Sequence, residues 1–261
     1  MISLTGKVVL VSGVGPGLGE STARAVVRGG GAGVLGDLDG DQVAEISDRV
    51  DPQGDRVASL VCDIADPVQC EKIVALARDR FGRLDAIVHV AAYSDAVGGL
   101  LDGDLDDWDT VARVNVKGTL QLTKAAVPLL RSSGGGSVVF IGSIAAIHSV
   151  EGVPQLAYGM SKAALVSATH YLAHELGPEG IRVNTISPGW KWGATLEKAI
   201  GSRAAEQGLS VEEFMAPVRA GHPLRRYTND EEVSNTIAFF CSDLAPSITG
   251  QVLYVDGGLT A

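Results

Sequence analysis

Ser12-Gly13-Val14-Gly15-Pro16-Gly17-Leu18-Gly19 follows a β-branched run at residues 7–12 and leads into a helix-period stretch at 20–28. Glycine permits the positive φ angles of a tight strand-to-helix turn and lets the backbone come close to a phosphate. The helix behind it offers unpaired N–H groups and a partial positive charge at its N-terminus. Taken alone, such a loop can also be no more than a tight turn. A second feature narrows the reading. The next strand-like run, 33–37, ends on Asp37, 20 residues beyond Gly17, where a carboxylate would accept hydrogen bonds from ribose hydroxyls. Loop and carboxylate together point to a dinucleotide.

Outward from this loop, short apolar runs alternate with longer helix-period stretches. Residues 7–12, 33–37, 57–62, 86–91, 137–141, 181–187 and 251–255 read as strands. Continuous apolar strands, each followed by an amphipathic helix, predict a parallel sheet covered on both faces by right-handed crossovers. The expected fold is α/β, a Rossmann-like doubly wound parallel sheet of about seven strands. No Pro/Ser-rich linker or repeat divides the chain, so residues 1–261 are expected to form one domain. The stretch 188–226 lacks a strand signal and is expected to be a helical substrate lid.

Composition removes several function classes. Of 261 residues, 46% are hydrophobic and 20% charged, enough for a large core. The 31 acidic against 21 basic side chains leave a formal charge of −10, which repels nucleic-acid backbones and anionic lipid. No apolar run has membrane-spanning length, and the opening MISLTGKVVLVSG carries no cleavable-signal pattern. A cytoplasmic location is expected. Cys62, Cys70 and Cys241 lack metal-ligand or CxxC spacing and are read as reduced, structural thiols. No metal is expected: the acidic groups at 37–55 and 102–109 have the spacing of helix caps and solvated faces.

The third strand runs into Cys62-Asp63-Ile64, so Asp63 falls at the carboxyl edge of the sheet, where it is a ligand contact or an N-cap. Up to this point a methyltransferase fits as well as a hydride-transfer enzyme. Tyr158 and Lys162 decide between them: four residues apart, they share one helix face, and of the 5 tyrosines only Tyr158 has a lysine at that spacing. An ammonium beside a phenol stabilises the phenolate, and the pair is expected to exchange protons near neutral pH.

In SGVGPGLG, Asp37, Asp63, Asn115 within RVNVKG, Ser143, the YGMSK pentad, Pro188-Gly189 and Asp256-Gly257-Gly258, the chain resembles the short-chain dehydrogenase/reductase superfamily along essentially its whole length. The resemblance implies Tyr158 as general acid/base, Lys162 on the nicotinamide ribose, Ser143 on the substrate oxygen and Asn115 in a proton relay through water. It implies cofactor contacts at Gly13, Gly15, Gly17, Leu18, Gly19, Asp37, Leu38, Asp63, Ile64, Ala91, Tyr158, Lys162, Pro188, Gly189 and Lys191. A homotetramer is implied as well, and the small residues Ala157, Ala164, Ser167 and Ala168 are expected to permit close helix packing.

Two stretches depart from the family pattern. His89-Val90-Ala91-Ala92 stands where Asn-Asn-Ala-Gly is usual, and Gly193 stands where a cofactor-touching Thr is common. His89 is read as buried and structural in preference to a catalytic base. Because Leu38 follows Asp37 and the glycine loop holds no Arg or Lys, NAD is the expected cofactor over NADP. The expected activity is interconversion of a secondary alcohol and a ketone. Trp190, Trp192, Leu196, Phe214 and Met215, with Val150 and Val153, are expected to line an apolar pocket for a bulky, cyclic, steroid- or lipid-like substrate. The alternative is a nucleotide-binding regulatory protein of the same fold without turnover.

Overall fold

The computed structural model describes residues 2–149, 154–192 and 194–261, without the side chains of 194, 195, 198, 199 and 202. Seven strands, β1 (Val8–Ser12), β2 (Ala32–Asp37), β3 (Val57–Val61), β4 (Ala86–His89), β5 (Gly136–Ile141), β6 (Ile181–Pro188) and β7 (Val252–Val255), form one sheet in the order β3-β2-β1-β4-β5-β6-β7. Every pairing is parallel. The seven apolar runs read from the sequence are these strands, with ends shifted by one or two residues. The order reverses between β1 and β4, where Ser12 is in register with His89. That reversal opens a crevice at the carboxyl edge.

Alternate strand residues point to opposite faces. Val9, Val11 and Val88 join one core with α1 (Leu18–Arg28), α2 (Gly40–Val50) and α9 (Asp230–Cys241). Val8, Leu10 and Ile87 join the other with α3 (Pro67–Phe81), α5 (Thr119–Ser132) and α6 (Leu156–Leu176). Both faces are thus covered, as the uninterrupted apolar strands required.

Local chemistry sets the helix starts. Asp39 caps α2, Asp66 caps α3 with Pro67 behind it, and Asp104 caps α4 (Leu105–Val111). Two of these caps belong to the acidic groups read as capping residues. Between β6 and α9 the chain forms α7 (Ala194–Glu206) and α8 (Val211–Gly221), the helical insert that was expected. Its small core of Leu196, Ile200 and Met215, with Phe214, Val218 and Tyr227 against it, is separate from the two main ones.

Candidate active site

All strand ends at the carboxyl edge face the same way, so the loops after β1 to β6 meet in one groove. In the glycine loop, Gly13 has φ 85°, and a Cβ there would sit 2.2 Å from the Ala91 nitrogen. A Cβ on Gly19 would sit 2.2 Å from the Gly13 carbonyl oxygen. These two glycines serve internal packing, while Gly15 and Gly17 lie towards the open side. Gly17 N-caps α1 without a side-chain cap, and Leu18, the first helical residue, is buried.

Asp37 ends β2, and the hydrogen bond it accepts comes from the Asp39 N–H at 3.0 Å. Leu38 beside it is 71% exposed. Asp63 accepts from the Ala65 N–H at 2.8 Å and is not the N-cap of α3, a place taken by Asp66. Ile64 is buried, and its carbonyl accepts from Gln121 Nε2 at 3.1 Å. The Ala91 N–H donates to the Ser12 carbonyl at 2.8 Å. Pro188 ends β6, and the Gly189 N–H donates to the Val255 carbonyl at 3.0 Å. Lys191 follows in the same loop, its ammonium paired with Asp230. An uncapped helix N-terminus, a part-exposed carboxylate one strand away and the small residues between them fit a dinucleotide.

At the other end of the groove, Lys162 Nζ lies 5.4 Å from the centroid of the Tyr158 ring and donates to the Ile141 carbonyl at 2.7 Å. Burial brings the Lys162 pKa down to about 8. Burial raises the Tyr158 phenol above its ordinary value, and interaction with the Ser143 hydroxyl pulls the other way. The expectation that the lysine brings this phenol towards neutrality is corrected here. The ammonium is directed at a main-chain carbonyl, and the loss of phenolate hydration outweighs what Ser143 returns. Ser143 follows β5 in extended backbone, and its Oγ also accepts from the Ala145 N–H at 3.1 Å.

Asn115 is buried in a π-helical segment, Ala112–Gly118. Its Oδ1 accepts from the Tyr93 N–H at 2.7 Å; its Nδ2 donates to the Tyr93 carbonyl at 3.0 Å and to Ser161 Oγ at 3.1 Å. Ser161 Oγ in turn donates to the Tyr158 carbonyl at 2.7 Å. The side-chain amide therefore ties the loop after β4 to the helix that carries Tyr158. Ser161, inside the YGMSK pentad, has no role in the motif reading, and this link is what that reading missed.

His89 is buried, with Nε2 2.9 Å from Thr123 Oγ1. Burial first and the Lys162 charge second bring its pKa down to about 3, so it stays neutral, as a structural histidine would. Cys62, Cys70 and Cys241 are free and buried.

A cavity of about 410 Å³ opens beside Ser143, with Ala146, Leu156, Met160 and Trp190 among its apolar walls and His148 and Gln155 among its polar ones. The expected apolar lining is thus corrected in part. Trp190 reaches the cavity, whereas Leu196, Phe214 and Met215 pack into the core of the insert, and Trp192 stacks on Tyr227 with centroids 5.7 Å apart. Leu156 and Met160 were missed because the first turn of α6 reads as ordinary helix. Val150, Val153 and Gly193 lie outside the described residues. Two of the small residues expected at a helix interface turn inward: Ala157 packs with Ala96 and Val111, and Ala168 packs on the α5/α6 core.

Comparison with known proteins agrees with this geometry. A family profile described as enoyl-(acyl carrier protein) reductase matches residues 13–260. Dehydrogenase/reductase SDR family member 4 of Sus scrofa is 33% identical over 256 residues, covering 98% of this chain and 88% of that protein. The 3-oxoacyl-(acyl-carrier-protein) reductase FabG of Thermotoga maritima is 32% identical over 257 residues, covering 98% of each. Among solved structures, an NAD+-bound xylitol dehydrogenase superposes with a TM-score of 0.88 at 29% identity, covering 97% of this chain and 99% of that one. With a matching profile over nearly the whole length, and the sheet order and glycine loop described above, the chain belongs to the short-chain dehydrogenase/reductase superfamily of oxidoreductases.

Proposed function

We propose that this protein is an NAD-dependent alcohol dehydrogenase or carbonyl reductase, interconverting a secondary alcohol and a ketone. The observation that carries this reading is the placement of Tyr158, Lys162 and Ser143 at one end of the groove, beside the 410 Å³ cavity. A bound nicotinamide supplies or accepts the hydride. Ser143 donates its hydroxyl hydrogen bond to the substrate oxygen, and Tyr158 gives or takes the proton on that oxygen. Lys162 holds the ribose hydroxyls. Because the Asn115 amide is already engaged with Tyr93 and Ser161, its part in a water relay falls to its main-chain carbonyl.

NAD over NADP is supported by the Asp37 carboxylate and the apolar Leu38, which offer a 2′-phosphate repulsion and no counter-charge. The cavity favours an apolar, bulky or cyclic substrate of steroid or lipid type. Residues 188–226 act as its lid within one domain spanning 1–261. A homotetramer is part of the reading, supported by an outward α6 face on which Met160, Ser167 and Tyr171 are exposed. So is a cytoplasmic location, supported by three free, buried thiols. The test is turnover, followed by the absorbance of reduced nicotinamide, over a panel of secondary alcohols and ketones with NAD and NADP. Higher kcat/KM for cyclic apolar alcohols with NAD is expected; no turnover of any alcohol or ketone with either cofactor would overturn the reading.

A further inference from the structure

Two helix N-termini and one ammonium converge on a single carboxylate. Asp230 is the first residue of α9, and its Oδ2 lies 3.3 Å from the point a Cβ on Gly17 would occupy, at the N-cap of α1. Its Oδ1 is paired with Lys191 Nζ, and both side chains are part-exposed. Lys191 enters from the loop after β6. There it bridges to Thr228, whose N–H donates to the Trp190 carbonyl at 3.2 Å. The stretch from Gly13 to Gly19 has no Lys or Arg of its own, so this ammonium is brought to the glycine loop from 39 residues before its partner.

A helix N-terminus favours an anion, and a carboxylate held there by an ammonium reproduces the charge arrangement of a phosphate contact. α1 supplies no side chain for its first N–H groups, and the hydrogen bond described for the Asp230 side chain runs to Lys191. We infer that the Lys191 ammonium is a ligand for the diphosphate of the bound dinucleotide, and that Asp230 holds it at the glycine loop until the diphosphate takes it over. The inference rests on the dinucleotide reading above and adds a side-chain cation to a cradle otherwise built of backbone. No covalent bond changes; the ammonium exchanges one anion for another. Asp230 both competes for Lys191 and repels an incoming diphosphate, so neutralising it favours binding.

The experiment measures the dissociation constants of NADH and of ADP-ribose, which keeps the diphosphate and lacks the nicotinamide, for the wild type, Lys191→Met, Lys191→Arg and Asp230→Asn. Lys191→Met is expected to weaken both ligands about tenfold, the scale of one part-exposed charge-assisted contact. Lys191→Arg is expected to restore both, and Asp230→Asn to tighten both. Unchanged affinities in Lys191→Met, or a loss confined to NADH, would overturn the inference, the latter by moving the ammonium to the nicotinamide end. Weaker binding by Asp230→Asn would overturn the exchange. A wild-type protein that binds neither ligand would instead overturn the dinucleotide reading itself.

Discussion

Lys162 faces Tyr158 with its ammonium 5.4 Å from the ring centroid, yet its described hydrogen bond goes to the Ile141 carbonyl at 2.7 Å. The main chain of β5 thereby fixes the position of a buried cation that has no carboxylate partner among the described residues. Its pKa of about 8 and the raised Tyr158 phenol follow from one cause, burial of both groups at this end of the groove.

His89 makes stability sensitive to acid. Its folded pKa of about 3 lies below the unfolded 6.5, so the unfolded chain binds more protons between those values. Stability contributed by the neutral ring is complete above pH 6.5 and is lost as pH falls towards 3. At about 1.4 kcal/mol per pH unit the loss reaches several kcal/mol across that window. Urea denaturation of the wild type and His89→Asn at several pH values checks this. The stability of His89→Asn should fall less between pH 6.5 and 4, and parallel curves would count against it.

Removing the Asn115 amide leaves the Tyr93 N–H and carbonyl without their partner beneath the active-site loop. Asn115→Ala is expected to lose about 2–4 kcal/mol of stability, read from urea midpoints at unchanged slope. Ser161→Ala, which removes the link to the Tyr158 carbonyl, should lose less and lower kcat more than it changes KM.

Cofactor choice rests on two adjacent residues. Asp37→Ala with Leu38→Arg should weaken NAD and strengthen NADP, shifting the ratio of their kcat/KM values by about 10²-fold or more. A wild-type enzyme that uses NADP as well as NAD would contradict the role given to Asp37.

Tyr171, 76% exposed, shares an outward face of α6 with Met160 and Ser167. Light scattering should show a tetramer for the wild type and smaller species for Tyr171→Asp. A monomeric wild type at micromolar concentration would contradict the assembly.

The sheet was legible because parallel strands buried on both faces read as unbroken apolar runs, and α6 because Tyr158 and Lys162 keep helical spacing. What escaped the sequence depends on which elements meet. At Gly13 and Gly19 the sequence does not reveal that Ala91 and the loop itself fill the space a side chain would need. Ala157 and Ala168 look like interface residues, but Ala157 is taken up by Ala96 and Val111 and Ala168 by the core on that face of the sheet. The direction of the Tyr158 shift depends on burial, which spacing does not encode. Lys191 and Asp230 stand 39 residues apart with no local pattern joining them.

The most direct test of the account is the Tyr158→Phe variant, assayed in parallel for NADH binding by fluorescence and for turnover of the best alcohol substrate. Loss of a proton-transferring group lowers kcat by about 10²–10⁴, while the dinucleotide cradle is untouched. The account predicts a near wild-type NADH dissociation constant with turnover reduced by that factor. A variant that keeps more than about a tenth of wild-type kcat, on the same scale, would contradict the assignment of Tyr158 as the acid/base group.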